Sequence, residues 1–255
     1  MNFNFIEEDT MKRFTLSMAA LAAMGTLAMA GGDIEAPVEP VVEVEAPMAV
    51  SDSGFYIGGA YSAAKLDRDF NGWEEELDIC GDGIYEEYRG SVEVEYDALM
   101  LQAGYKFNQY LAVEGRYWKS LSDGDWSCNA SGTENDEPFS EHDSGSDGDF
   151  DFEAWGIYVK PMYPVTEELD VYALLGYGNV TLTNAWDEGD FLDENGFQWG
   201  LGASYALTDK LSVFADYVQL CDADNSESWE DEGYIGQENW DDTVYTVNIG
   251  LTYKF

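Results

Sequence analysis

The amino-acid sequence predicts an all-β protein, an eight-stranded antiparallel up-and-down transmembrane β-barrel. Three observations predict it: side chains alternate with a period of two in eight segments, tight and long connections alternate, and aromatic residues and glycine are plentiful while proline is scarce. Period two is typical of a strand whose two faces meet different surroundings. Because a membrane barrel hides only alternate side chains in lipid, the negative mean hydropathy is compatible with it.

Residues 1–30 are predicted to contain a secretory signal peptide. A basic pair is followed by an apolar run and by the small-x-small cleavage site Ala28-Met29-Ala30. Acidic residues among the first ten oppose export, so we predict that Met11 is the true start and that the mature chain begins at Gly31. Amino-terminal sequencing of the exported protein is expected to read Gly31 first, and an intact residue 2 or 11 would contradict this.

Residues 31–53 are expected to form a flexible periplasmic leader. Pro37, Pro40 and Pro47 prevent a regular strand or helix there. The barrel is then predicted to occupy residues 54–255.

Eight segments of the barrel region have about ten residues or more, the length that a tilted strand needs to cross a bilayer. In each of them the large apolar side chains fall on one face, which we expect to contact lipid. The last segment alternates without a break and ends on the aromatic Phe255. The predicted strands are Gly54–Leu66, Glu93–Phe107, Tyr110–Leu121, Phe152–Tyr163, Leu169–Thr183, Gly196–Leu207, Lys210–Leu220 and Val244–Phe255.

The connections alternate in length, as they do when short turns lie on one side of a membrane and long loops on the other. Asn108-Gln109, Pro164–Glu168 and Thr208-Asp209 are tight. The four long loops are predicted over residues 67–92, 122–151, 184–195 and 221–242.

The formal net charge of -41 is concentrated in these long loops, which contain most of the 52 acidic residues. Acids that stay in water cost the fold little. The charge argues against nucleic acid and anionic lipid head groups as direct partners, since both would be repelled.

The inward face is expected to be rich in Gly, Ser, Gln and Ala, because an eight-stranded interior is only just wide enough to be filled by side chains. It also carries Glu114, Arg116, Lys160 and Asp216, and buried charges must be paired or wetted. We therefore predict a lumenal ion-pair network of these four residues. A polar plug that sets stability is one interpretation, and a gate for a narrow ion or water path is the other. The same face carries Gln102, Lys106, Gln198 and Asn248.

Three cysteines lie in or beside the long loops, and export favours their oxidation. The sequence does not fix the pairing. A Cys80–Cys128 bridge between neighbouring loops is our prediction, with Cys221 left over.

Catalytic residues, cofactors and a dedicated metal site are not expected. The single histidine, His142, falls in an acidic loop, so a serine nucleophile has no strand-borne base. The acids from Asp143 to Asp151 have spacing that suits weak divalent-cation binding, but they lack the register of a dedicated calcium loop. A solvated, repulsive loop is the other interpretation.

The chain resembles the outer-membrane β-barrel superfamily, which includes opacity-type porins and the transmembrane domain of outer-membrane protein A. The resemblance implies a monomer in the bacterial outer membrane, surrounded by lipid, and it says little about activity. Two functions then remain: a structural or surface-interaction protein whose acidic loops contact an extracellular partner, and a small porin with a gated narrow lumen. The resemblance rests on residues 54–59 (GFYIGG), 102–107 (QAGYKF), 173–178 (ALLGYG) and 199–203 (WGLGA) and on the closing strand.

Overall fold

The computed structural model of the protein describes residues 53–76, 83–146, 150–183, 190–231 and 233–255. None of these residues forms a helix of the length and apolar character needed to cross a membrane. The described residues form ten strands, which are β1 (Gly54–Glu76), β2 (Tyr85–Asn108), β3 (Leu111–Ser120), β4 (Asp125–Glu134), β5 (Glu137–Gly145), β6 (Asp151–Pro164), β7 (Leu169–Thr183), β8 (Asp190–Ala206), β9 (Leu211–Asp231) and β10 (Tyr234–Lys254).

Eight of these strands close into a ring of antiparallel neighbours. The order around the ring is β1, β10, β9, β8, β7, β6, β3 and β2, and β2 pairs with β1 again. β1 is paired on both sides, so that Tyr61 lies opposite Ile249 on β10 and opposite Leu99 on β2. The predicted eight-stranded up-and-down barrel is confirmed.

The outward face of the ring carries the large apolar side chains that the alternation assigned to it. Ile57, Leu101 and Ile249 are each more than half exposed. Their neighbours in the register repeat the pattern around the ring, which gives a continuous apolar belt. Other members of this belt are Phe55, Val113, Ile157, Leu175, Phe197, Leu201 and Val247.

The interior holds more bulk than the sequence predicted. Trp118, Tyr158 and Phe152 point inward and are fully buried, beside the expected small and polar residues. Glycines opposite large rings provide the space: a Cβ added to Gly104 would lie 2.5 Å from the ring of Tyr56, its cross-strand neighbour. The expectation of a lining without Trp, Tyr or Phe was therefore wrong.

The substitution Gly104→Val is expected to lower the free energy of unfolding by about 1–3 kcal/mol, because the new side chain overpacks the lumen against Tyr56. Urea unfolding of the refolded protein in detergent micelles measures this. Gly115→Val on β3 is the matched control, since a Cβ there meets nothing nearer than the Gly156 carbonyl oxygen at 3.9 Å. Equal losses for the two variants would contradict the steric explanation.

Much of the chain that was predicted as long loops is in fact strand. β1, β2, β9 and β10 continue past the ring, and the hairpin β4–β5 pairs with β2 above the end of β3. At about 3.3 Å per residue, the segment Leu66–Glu76 is on the order of 30 Å long. We call this six-stranded extension the outer wall; it comprises 66–76 of β1, 85–94 of β2, all of β4 and β5, 221–231 of β9 and 234–244 of β10.

The β4–β5 hairpin has a two-residue turn at Asn135 and Asp136, whose φ angles are 47° and 68°. Asparagine and aspartate are the non-glycine residues that best tolerate positive φ, and such a turn matches the twist of an antiparallel pair. The backbone N–H of Tyr85 also donates to Asn135 Oδ1 at 3.1 Å, which attaches the turn to β2. This dipeptide was the sequence signal for the hairpin.

A β-bulge at Leu220 separates the outer wall from the shorter side of the barrel. Val244 pairs with Cys221 and Tyr245 with Gln219, so Leu220 is one residue too many. β8 stays paired with β9 only as far as Trp199 and Gln219. Because a bulge bends and twists its strand, the outer part of β9 leaves β8 and follows β10 alone.

Candidate functional site

The four charged residues predicted for the lumen lie in one contiguous cluster. Arg116 Nε donates to Glu114 Oε1 at 2.7 Å, and its two terminal nitrogens donate to the carboxylate of Asp216 at 3.1 and 2.8 Å. Lys160 Nζ donates to Glu114 Oε2 at 3.0 Å. Two carboxylates and two cations balance one another, so the cluster is formally neutral.

Neutral side chains that the sequence reasoning did not assign to the network complete it. Tyr56 donates to Glu114 Oε2 at 2.6 Å, and Tyr172 donates to Asp216 Oδ2 at 2.7 Å. Asn248 Nδ2 donates to the other oxygen of Asp216 at 2.8 Å. These hydroxyl and amide donors saturate the carboxylates, which is what buried ions require. Their positions on the inward parity of β1, β7 and β10 were the available signal.

An apolar layer closes the lumen between the charged cluster and the outer wall. Trp118 forms its lower edge: the indole Nε1 donates to Asn248 Oδ1 at 3.0 Å, and the ring meets Tyr158 edge-on. The chemistry that this arrangement supports is packing. The layer comprises Leu66, Val94, Met100, Phe152, Val180, Leu182, Leu220 and Val244, all of them with at most 1% exposure.

The outer wall has an apolar inner face that continues the lumen-facing side of the barrel, and a polar outer face. Across the inner face, aromatic rings lie opposite glycines, so the rings lie along the sheet. Phe70, for example, is 2.5 Å from where a Cβ of Gly90 would be. The other pairs are Tyr88 with Gly72, Phe139 with Gly132 and Trp229 with Gly236.

Acidic side chains face each other on both sides of the outer wall. On the outer face, Asp241 of β10 lies between Asp69 and Asp224 on its neighbours. The side-chain hydrogen bond with Asp224 raises the pKa of Asp241, and the negative charges of Asp224 and Asp69 add to it. Like charges opposite one another destabilise a sheet.

The stability of β9 and β10 in the outer wall is therefore expected to rise as the pH is lowered from neutral. An acid whose pKa is raised on folding stabilises the fold when it is protonated, and this contribution is lost as the pH rises through the raised pKa. Hydrogen-exchange protection factors of the two strands measure it. Asp224→Asn should weaken the dependence, and a dependence unchanged by that substitution would contradict the explanation.

The remaining sequence-predicted positions are not brought together in the described residues. Cys128 lies on β4 and Cys221 is buried at the bulge, and neither is bonded to the other; Cys80 lies outside the described residues, so the Cys80–Cys128 bridge stays a prediction. His142 contacts Asn129 at 2.8 Å on the exposed hairpin. The described residues contain no group of three or more potential metal ligands, and Asp147 and Asp149 fall outside them.

Several solved structures are similar to this chain. OprG from Pseudomonas aeruginosa is 17% identical over 79% of this chain and 96% of that chain, with a TM-score of 0.49. AlkL is 12% identical (88% and 97%, TM-score 0.44), and neisserial surface protein A is 14% identical (79% and 97%, TM-score 0.40). At these identities the likeness concerns the fold alone.

Comparison with curated proteins finds no match. The family model for the outer membrane protein beta-barrel domain, however, matches residues 16–255, which include every strand of the ring. The apolar belt, the filled lumen and the closed ring are the physical features of such a domain. The chain therefore belongs to the outer membrane protein beta-barrel domain family and is a protein of the bacterial outer membrane.

Proposed function

We propose that the protein is a non-conducting, non-catalytic surface protein, whose barrel anchors the outer wall in outer-membrane lipid as a monomer and whose outer wall contacts an extracellular partner. The observation that carries the proposal is the combination of a filled lumen with a six-stranded acidic extension. A transport pathway needs a continuous cavity, whereas Trp118, Met100 and Glu114 fill the cross-section of the ring and are fully buried. Loops and extensions on a rigid scaffold are where binding functions concentrate.

The small-porin alternative makes a different prediction in planar-bilayer recordings. We expect no discrete channel events from the wild-type protein, and none from Arg116→Ala, in which a gate formed by the ion pairs would be open. Channel events in either protein would support the porin and contradict the proposal. Weak binding of divalent cations by the acidic hairpins is compatible with the proposed role, and calorimetry with Ca²⁺ tests it.

The surface role is tested by removing part of the outer wall from the full-length protein. Residues 124–149 would be replaced by a short Gly-Ser linker, which deletes β4 and β5 and leaves the eight-stranded ring intact. Expression of the wild type in a laboratory strain is expected to increase cell sedimentation and retention on an epithelial monolayer, and the deletion should return both to the vector level. Unchanged sedimentation and retention after the deletion would contradict a role for this hairpin.

A further inference from the structure

A cavity of about 300 Å³ lies at the foot of the inner face of the outer wall, above the apolar layer. Three aromatic side chains line it: Phe70, Trp240 and Phe191. Phe70 and Trp240 are cross-strand neighbours on β1 and β10, and Phe191 comes from β8 on the opposite side of the ring. The cavity is therefore an aromatic recess in which chain segments from both sides of the barrel meet.

Two carboxylates face this recess without a cation of their own. Glu227 and Glu238 lie directly opposite each other on β9 and β10, an arrangement that costs stability. Among the described residues neither side chain makes a hydrogen bond or an ion pair. Burial raises the pKa of Glu238, the charge of Arg68 opposes the shift, and the charge of Glu227 adds to it. A bound cation would relieve this repulsion.

The one cation that lines the cavity is already neutralised. Arg68 Nε and Nη2 donate to the two oxygens of Asp242 at 2.5 and 2.8 Å. Its guanidinium carbon also lies 4.1 Å from the centre of the Phe191 ring. Arg68 thus demonstrates, inside the same cavity, a guanidinium held between a carboxylate and an aromatic face. The second carboxylate pair and the rings of Phe70 and Trp240 offer a similar environment that the chain itself leaves unfilled.

We propose that this cavity binds an organic cation, a guanidinium or alkylammonium group, between the carboxylates of Glu227 and Glu238 and the rings of Phe70 and Trp240. This rests on the proposed function and gives its partner a chemistry. Inorganic Ca²⁺ or Mg²⁺ fits less well, because such ions need six or more oxygen ligands, whereas this cavity offers two carboxylates among aromatic rings. Organic cations are attracted to both kinds of group.

Calorimetry on the full-length protein in zwitterionic nanodiscs tests the proposal with N-acetyl-L-arginine amide as the probe, at low ionic strength where screening is weakest. The double substitution Glu227→Gln with Glu238→Gln is expected to weaken binding by about tenfold or more, the effect of losing two charge-assisted contacts. The matched control is Asp224→Asn with Asp241→Asn. It removes the same net charge from the same two strands on the outer face, and it should change the Kd by less than about twofold.

Other arms separate the remaining explanations. Trp240→Leu should weaken binding while heat-modifiable migration on a gel stays normal, and the neutral citrulline amide should not bind. A short Arg-Gly-Arg peptide that binds when the free amide does not would identify a polypeptide as the source of the cation. Equal losses in the two double variants, or Ca²⁺ binding that displaces the probe stoichiometrically at similar concentrations, would overturn the proposal. If sedimentation and retention still depend on residues 124–149 while no cation binds, this inference fails and the proposed function stands.

Discussion

The substitution Arg116→Ala is expected to lower the free energy of unfolding by about 3–5 kcal/mol, the largest effect of any single change in the lumen. Arg116 makes three hydrogen bonds to Glu114 and Asp216, and it is the only cation that contacts both. Without it, Lys160 still neutralises Glu114, but the carboxylate of Asp216 is left buried with only Tyr172 and Asn248 as donors. An uncompensated buried charge is what makes breaking such a pair expensive.

Urea unfolding in detergent micelles, followed by tryptophan fluorescence, measures the effect. Lys119→Ala on the same strand is the control, because Lys119 pairs with Glu153 and Asp151 at 3.6 and 3.9 Å where all three side chains are about half exposed. Exposed pairs contribute about 0–1 kcal/mol. Arg116→Lys should fall between the two, since it keeps the charge and loses the forked geometry. If Arg116→Ala cost no more than Lys119→Ala, the network would not be a stabilising plug.

The second large effect is expected for Trp118→Ala, at about 3–5 kcal/mol. The indole is fully buried where the charged cluster meets the apolar layer, and it contacts Tyr158 and donates to Asn248. Its removal leaves a cavity inside a closed ring of paired strands, which has little freedom to collapse. It also leaves the Asn248 oxygen with one donor fewer.

Trp155→Ala is the matched control for this substitution. Trp155 is the same residue type on the neighbouring strand β6, opposite Tyr117 in the register, but its ring faces the lipid and is 43% exposed. Lipid fills the space that a truncated side chain leaves on that face, so the loss should be well below that of Trp118→Ala. Similar losses for the two variants would contradict the view that the lumen is packed as a core.

The barrel was predictable from the sequence because lipid imposes a strict requirement on alternate residues. Val247, Ile249 and Leu251 must face the bilayer, so the alternation identifies both the strand and its orientation, and the tight turns identify which strands are neighbours. The charges of the lumen followed from the same parity. Arg116 and Asp216 were assigned to one face before their strands were known to bring them within 3 Å.

The outer wall was not predictable by the same reasoning, because water imposes no such requirement on a strand outside the membrane. Segments such as β4 mix serine, glycine, asparagine and threonine, which are also typical of loops. The bulk of the interior was missed for a different reason. Tyr56 fits inside because Gly104 lies opposite it, and that pairing depends on the register between β1 and β2, which no local pattern specifies.

The bulge at Leu220 gives the protein a front and a back within the plane of the membrane. In the described residues, β3, β6, β7 and β8 stop near the edge of the ring, whereas β9, β10, β1, β2, β4 and β5 continue beyond it. A partner at the cell surface would therefore reach the aromatic recess from one side only. Occupancy would then depend on how the barrel is rotated relative to its neighbours, and crowding on the open side would compete with binding without touching a single residue of the recess.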